Sequence, residues 1–292
     1  MKERYKLAYP IRPHGEFFEV KGVTMCISVK GSGDKIIVLL SGIASPSPII
    51  EMEALTSFLI EKYTVVTLEY PGYGLSNPPK TERICKNIAE EIHEALNKLG
   101  FSRYSIAAHS ISGVYSLYYA NKYSNEIETI IGIDSSVPEQ IDNKKMTGNL
   151  IAYAERNYNR KNSGFLWWIA GYTAKRLLRC SKDYKYSRED IKVYGLLSSL
   201  NLASKSVLEE YRNIPRNFGK IRDLKYPSNI PVLFILSKKS VRSYKDWYIL
   251  HEEILGRNKG KIIILKGGHY LHLTQPQKVA EEMDEFINSI KQ

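Results

Sequence analysis

Short apolar runs and longer amphipathic stretches alternate along most of this chain. Phe17–Val20 and Thr24–Val29 flank Lys21-Gly22 and predict a hairpin. Lys35–Leu40 is apolar at nearly every position, which suits an interior parallel strand rather than a half-exposed one. Ile49–Lys62 repeats with the period of a helix, and Tyr63–Tyr70 is a second buried strand. Glu82–Leu99 reads as helix, Tyr104–Ala108 as strand, Ile111–Tyr123 as helix, and Thr129–Ile133 as a strand ending in Asp134. Strand, helix, strand in succession implies right-handed crossovers in a parallel sheet.

From Val137 to Pro227 the alternation stops. Helical patterns such as Phe165–Arg179 and Val207–Tyr211 fill this stretch without buried strands, and predict an inserted helical cap. The alternation resumes with Pro231–Leu236, a helix over Ser243–Leu255, the strand Lys261–Leu265 and a last helix over Pro276–Ile290. The domains expected are therefore a core formed by 1–136 and 228–292, and a cap over 137–227. Residues 1 to 15, with Pro10 and Pro13, read as an irregular arm.

Composition narrows the picture. At 292 residues and 43% hydrophobic, the chain can bury one sizeable core with an insertion. Cys26, Cys85 and Cys180 are odd in number and far apart, which argues against a disulfide framework or a zinc site. Met1–Lys6 is charged but leads into no apolar signal segment, and no run is long enough to span a bilayer. A cytoplasmic protein is expected, or a membrane-associated one if an anchor precedes this sequence. The net charge of +11 is concentrated in Val137–Pro227, which holds 18 Lys and Arg against 9 Asp and Glu. Such a segment can attract anionic substrates, anionic membrane surfaces or nucleic acid, or simply be a solvated face.

The chemistry centres on Ser105–Gly113. An apolar strand climbs into His109-Ser110, small residues follow, and a helix begins at once, so Ser110 stands on a sharp strand-to-helix turn. The nucleophile-elbow pattern G-x-S-x-G appears as Ala108-His109-Ser110-Ile111-Ser112, with both glycines replaced by other small residues. On these residues alone, Ser110 reads either as a nucleophile or as a helix N-cap.

Four motifs together make the chain resemble the α/β-hydrolase superfamily over nearly its whole length. They are Ser41-Gly42-Ile43 after the third strand, Pro71–Ser76 after the fourth, the elbow at Ser110, and Gly267-Gly268-His269-Tyr270-Leu271-His272-Leu273 before the last helix. The resemblance implies an α/β fold with a mostly parallel sheet flanked by helices and a helical cap after the sixth strand. It makes nucleic acid an unsuitable partner and calls for no metal or organic cofactor. It also implies a serine hydrolase with Ser110 as nucleophile and His269 as base. Haloalkane dehalogenases and epoxide hydrolases of this fold attack with aspartate, so a carboxylesterase or lipase-like enzyme on small or medium acyl esters is expected, with amide or C–C hydrolysis on the same triad, or ligand binding without turnover, as alternatives.

The acid departs from the family's common pattern. The position usually occupied after the seventh strand falls on Ser240, which is no carboxylate. The family's other location, the end of the sixth strand, holds Asp134, which is the expected acid; Asp246 is the second choice. By resemblance the oxyanion would be held by the N–H groups of Ile43 and Ile111, each worth about 3 kcal/mol, with Gly42 permitting the turn. Gly42, Trp167, Trp168 and His272 are candidate pocket residues. Phe165–Arg179 reads as an apolar lid rimmed by Lys175, Arg176 and Arg179, or as the cap's own core. His109 should point back into the strand–helix packing, and His14, His93 and His251 look structural.

Overall fold

A computed structural model describes residues 14–160, 164–201 and 203–290, with side chains from 168 onward in the second stretch. Eight strands form one sheet: β1 (Glu16–Val20), β2 (Val23–Lys30), β3 (Lys35–Leu40), β4 (Tyr63–Leu68), β5 (Tyr104–His109), β6 (Ile127–Ile133), β7 (Val232–Ser237) and β8 (Gly260–Leu265). Their order is β1-β2-β4-β3-β5-β6-β7-β8. The β1–β2 and β2–β4 pairings are antiparallel, and all the others are parallel.

The apolar strands are central because both of their faces are covered. Successive side chains of a strand point to opposite faces. Val38, Leu40, Ile106, Ala108 and Phe234 join one core cluster, while Ile37, Leu39, Ala107, Leu233 and Ile235 join the other. The first cluster packs under α2 (Cys85–Lys98) and α3 (Ser112–Lys122), the second under α1 (Pro48–Leu59) and α12 (Pro276–Ser289). Each fully buried Leu or Ile contributes about 1.5–3 kcal/mol. A register slip of one residue would exchange the two faces and forfeit both layers.

Between β6 and β7 run a 3-10 turn over Pro138–Asp142 and five helices: α4 (Lys144–Asn159), α5 (Gly164–Leu178), α6 (Arg188–Asn201), α7 (Lys205–Arg212) and α8 (Ile214–Ile221). They are not a detached unit. Val207, Leu208 and Tyr211 of α7, with Ile214, Phe218 and Ile221 of α8, belong to the same buried cluster as the sheet. Asn217 of α8 accepts from the Cys85 N–H (2.8 Å) and donates to the Arg83 carbonyl, fastening α8 to the start of α2.

The helix expected over Ser243–Leu255 is two helices, α9 (Lys238–Ser243) and α10 (Trp247–Leu255). Ser237 starts α9 by accepting from the Ser240 N–H, and Asp246, at φ +60°, breaks the chain direction before α10. A short α11 (Leu271–Thr274) precedes α12. Among the described residues no helix is long and apolar enough to cross a membrane.

Candidate active site

The chain leaves β5 at His109 and turns at Ser110, whose φ of +57° lies in the left-handed region that side chains other than glycine avoid. α3 begins two residues later. The substituted elbow glycines have a local explanation. Ser112 fits because its hydroxyl donates to the Ser41 carbonyl and pairs with Tyr70 Oη at 3.0 Å. The close approach falls one residue on, at Gly113, where a Cβ would meet the Ser136 oxygen at 2.4 Å and Ser135 Cβ at 2.8 Å.

Three of the expected residues meet. His269 Nε2 lies 2.9 Å from Ser110 Oγ, and His269 Nδ1 lies 2.8 Å from Asp134 Oδ2. Asp134 sits buried at the end of β6, at φ +44°. Its Oδ1 accepts from the Ser237 N–H (2.9 Å), and its Oδ2 accepts from Ser240 Oγ (2.6 Å) and Ser237 Oγ (3.1 Å). Burial by itself would raise this carboxyl. The bonds from His269, Ser240 and Ser237 and the nearby imidazole outweigh it and hold Asp134 below the ordinary carboxylate value. An ionised Asp134 accepts from Nδ1–H, which leaves the Nε2 lone pair facing the Ser110 hydroxyl. Ser240, at the position where the resemblance leads one to expect a carboxylate, instead donates to Asp134.

Asp246 is no part of this arrangement. It is exposed, beside Lys245 at 4.0 Å, and does not line the cavity around Ser110.

His109 holds the His269 loop from beneath. Its Nε2 lies 3.0 Å from the His269 carbonyl, which can only accept, so Nε2 carries the proton. Burial, with His272 and His269 close by, pushes its pKa well below the ordinary imidazole value, and the ring is neutral. His251, also buried, faces the carbonyls of Trp247 and Ser135. His14 pairs with Asp190, and His93 stacks on Tyr123.

Ser110 opens into a cavity of about 690 Å³ lined by core and inserted helices alike. Ile43 and Ile111 both line it, and neither N–H has a hydrogen-bond acceptor among the described residues. Gly42 lets this loop come close: a Cβ there would lie 3.0 Å from His109 Nδ1 and 3.1 Å from Ser110 Cβ. Two residues on, Ala44, at φ +62°, donates its N–H to Tyr73 Oη (3.0 Å), and Tyr73 in turn donates to Glu210 of α7 (2.9 Å). Tyr115 donates to the other oxygen of Glu210 (2.7 Å). This brace joins the Pro71–Ser76 turn, α3 and α7 to the loop beside the serine.

The expected pocket residues need correction. Trp168 is 66% exposed, stacks on Tyr172, and does not line the cavity; the side chain of Trp167 lies outside the described residues. The tryptophan that does line it is Trp247 of α10, together with Tyr153, Leu177, Tyr211 and Tyr270. His272 also lies off the cavity. It is fully buried, with Nε2 3.3 Å from Glu51, whose carboxylate also accepts from Tyr194 and from Ser45 (2.9 Å). Burial would raise Glu51, but these donors, led by His272, hold it below its ordinary value. Glu51, His109 and His272 bring ligand-type atoms within 4.8 Å of one another, a buried set of the kind able to hold a metal ion.

A family profile described as the alpha/beta hydrolase fold matches residues 35–276. The chain belongs to the α/β-hydrolase family. Its sheet, flanking helices and strand order are those of that fold, and hydrolase activity follows as the coarse reading of its chemistry. Among its relatives is YbdG of Bacillus subtilis (strain 168), an uncharacterized protein 26% identical over 298 residues, spanning 98% of this chain and 89% of that one. A 2-(acetamidomethylene)succinate hydrolase of Mesorhizobium japonicum is 26% identical over 116 residues, 40% of this hydrolase and 41% of that protein. Of solved structures, the epoxide hydrolase VrEH1 from Vigna radiata superposes with a TM-score of 0.74 at 18% identity, over 94% of this chain and 97% of that one.

Proposed function

We propose that this hydrolase is a serine esterase that cleaves small or medium acyl esters through an acyl-enzyme on Ser110. The observation that carries the reading is the hydrogen-bonded line from Ser110 Oγ through His269 to a buried, ionised Asp134, opening on a cavity with apolar walls. His269 Nε2 takes the Ser110 proton as Oγ bonds to the ester carbonyl carbon. The carbonyl oxygen becomes an oxyanion and receives the N–H groups of Ile43 and Ile111; the dipole of α3 adds to the second. Collapse of the tetrahedral adduct breaks the bond to the alkoxy oxygen, which leaves with the proton held on His269. Water then gives its proton to His269 and attacks the acyl carbon, releasing the acid and restoring Ser110.

Asp134 orients the imidazole and stabilises its charged form without taking the proton. A serine at this position gives a hydrolysable ester intermediate and needs no metal. The test is a fluorophosphonate probe read by intact mass. One adduct is expected on the wild type and none on Ser110→Ala. A folded wild type that stays unlabelled would refute the reading. p-Nitrophenyl esters of graded chain length then define the acyl preference.

A further inference from the structure

Several cations beside the site have no part in the chemistry above. Lys238, Lys239 and Arg242 of α9 and Lys266 of the loop after β8 line one groove with Ser243 and Gly267. None of these four side chains is paired with a carboxylate among the described residues. Arg212, Arg216 and Arg222 of the inserted helices are different, each being matched to an acidic partner.

The groove continues into the cavity, since Lys239 and Ser243 line both. Its position is fixed by the same bonds that build the site. The Lys239 N–H donates to the Gly267 carbonyl (3.1 Å), and its neighbour Ser240 donates to Asp134. Lys239 Cδ lies 3.8 Å from where a Gly268 side chain would start, one residue before His269. Four like charges gathered along one exposed groove repel one another and create a positive field along it. A bound oxyanion relieves that repulsion and accepts charge-assisted hydrogen bonds.

We propose that this groove is a subsite for an anionic group, a carboxylate or phosphate, carried by the same small molecule whose ester bond lies at Ser110. The proposal rests on the serine-esterase reading and names its substrate class: acyl esters with a negatively charged end.

The test compares p-nitrophenyl hemiglutarate with p-nitrophenyl valerate, which have equal chain length and differ in the terminal carboxylate. At low salt the wild type is expected to favour the hemiglutarate in kcat/KM by about tenfold or more, with the preference falling as salt rises. In Lys239→Gln/Arg242→Gln/Lys266→Gln the ratio should collapse toward one. A ratio near one in the wild type overturns the proposal. Calorimetric titration with glutarate and with inorganic phosphate provides a readout that needs no turnover. If neither ester is cleaved, the esterase reading falls, and glutarate binding that is lost in the triple variant still sustains the subsite, whereas no binding overturns it. Retention on phosphatidylserine vesicles, lost in the triple variant, with neither small anion bound would assign these charges to lipid headgroups and overturn the small-substrate form.

Discussion

Asp134→Asn replaces one oxygen of a carboxylate that accepts from Ser237 N–H, Ser237 Oγ, Ser240 Oγ and His269. The substitution preserves shape but turns one acceptor into a donor. If the amide oxygen stays toward the Ser237 N–H, the NH₂ faces the other three donors, and His269 must present its Nδ1 lone pair to it. Nε2 then carries the proton and cannot take one from Ser110. Loss of the correct tautomer in a triad of this kind lowers turnover by about 10³–10⁴-fold, about 4–5 kcal/mol in the barrier. Steady-state hydrolysis of p-nitrophenyl butyrate measures it. Asp246→Asn, on an exposed side chain, is expected to remain within about twofold of wild type. Adding Ser240→Asp to Asp134→Asn returns a carboxylate next to the lost one and should recover at least about tenfold. Equal effects of the two asparagine variants, or a larger effect at 246, would refute the assignment of the acid.

Two further outcomes follow from the braces around the site. Burial pushes Glu69 up from 4.5 to about 7 against its bonds to Ser47 and the Leu75 N–H, so the folded state holds this proton more tightly than the unfolded one. Stability therefore falls as pH rises between those two values, by about 2–3 kcal/mol from pH 5 to pH 8. Urea unfolding of wild type and Glu69→Gln at both pH values should show that difference in the wild type alone, and parallel pH dependence in both would sink the idea. Tyr73→Phe strips the Ala44 N–H of its acceptor and Glu210 of a donor; an unpaired buried group costs about 1–3 kcal/mol. The expected result is a kcat about tenfold lower with KM little changed and slower fluorophosphonate labelling, whereas a lower Tm with unaltered kcat would make Tyr73 purely structural.

The sheet is legible in the sequence because β3, β5 and β7 are apolar on both faces, a pattern that suits only a covered strand. Ser110 is legible because it follows directly on such a strand, and His269 because it sits in a glycine-led loop between the last strand and the last helices of the alternation. Other features depend on contacts that no local pattern encodes. Tyr73 meets Glu210 across 137 positions and Tyr194 meets Glu51 across 143. Phe165–Ile169 is apolar all round, so periodicity cannot say which side turns inward, and Trp168 turns out while Trp247 from another helix turns in. The break between α9 and α10 contains neither Gly nor Pro, and comes instead from the extended Tyr244 and the left-handed Asp246.

The two buried carboxylates Glu51 and Glu210 also decide how the inserted helices can move. Glu51 belongs to the core and grips α6 through Tyr194, while Glu210 belongs to α7 and is gripped by Tyr73 and Tyr115 of the core. Swinging either helix away would break the bond Tyr194 donates to Glu51 or those Tyr73 and Tyr115 donate to Glu210, at a cost of about 1–3 kcal/mol for each group left unpaired. Opening the whole insertion as one hinged door therefore means breaking both sets of bonds at once. α4 is held differently: Ala154 packs into the core, but its Glu155 is joined to Arg212 by an exposed pair that water readily replaces. Displacing α4 by itself leaves the Glu51 and Glu210 bonds intact.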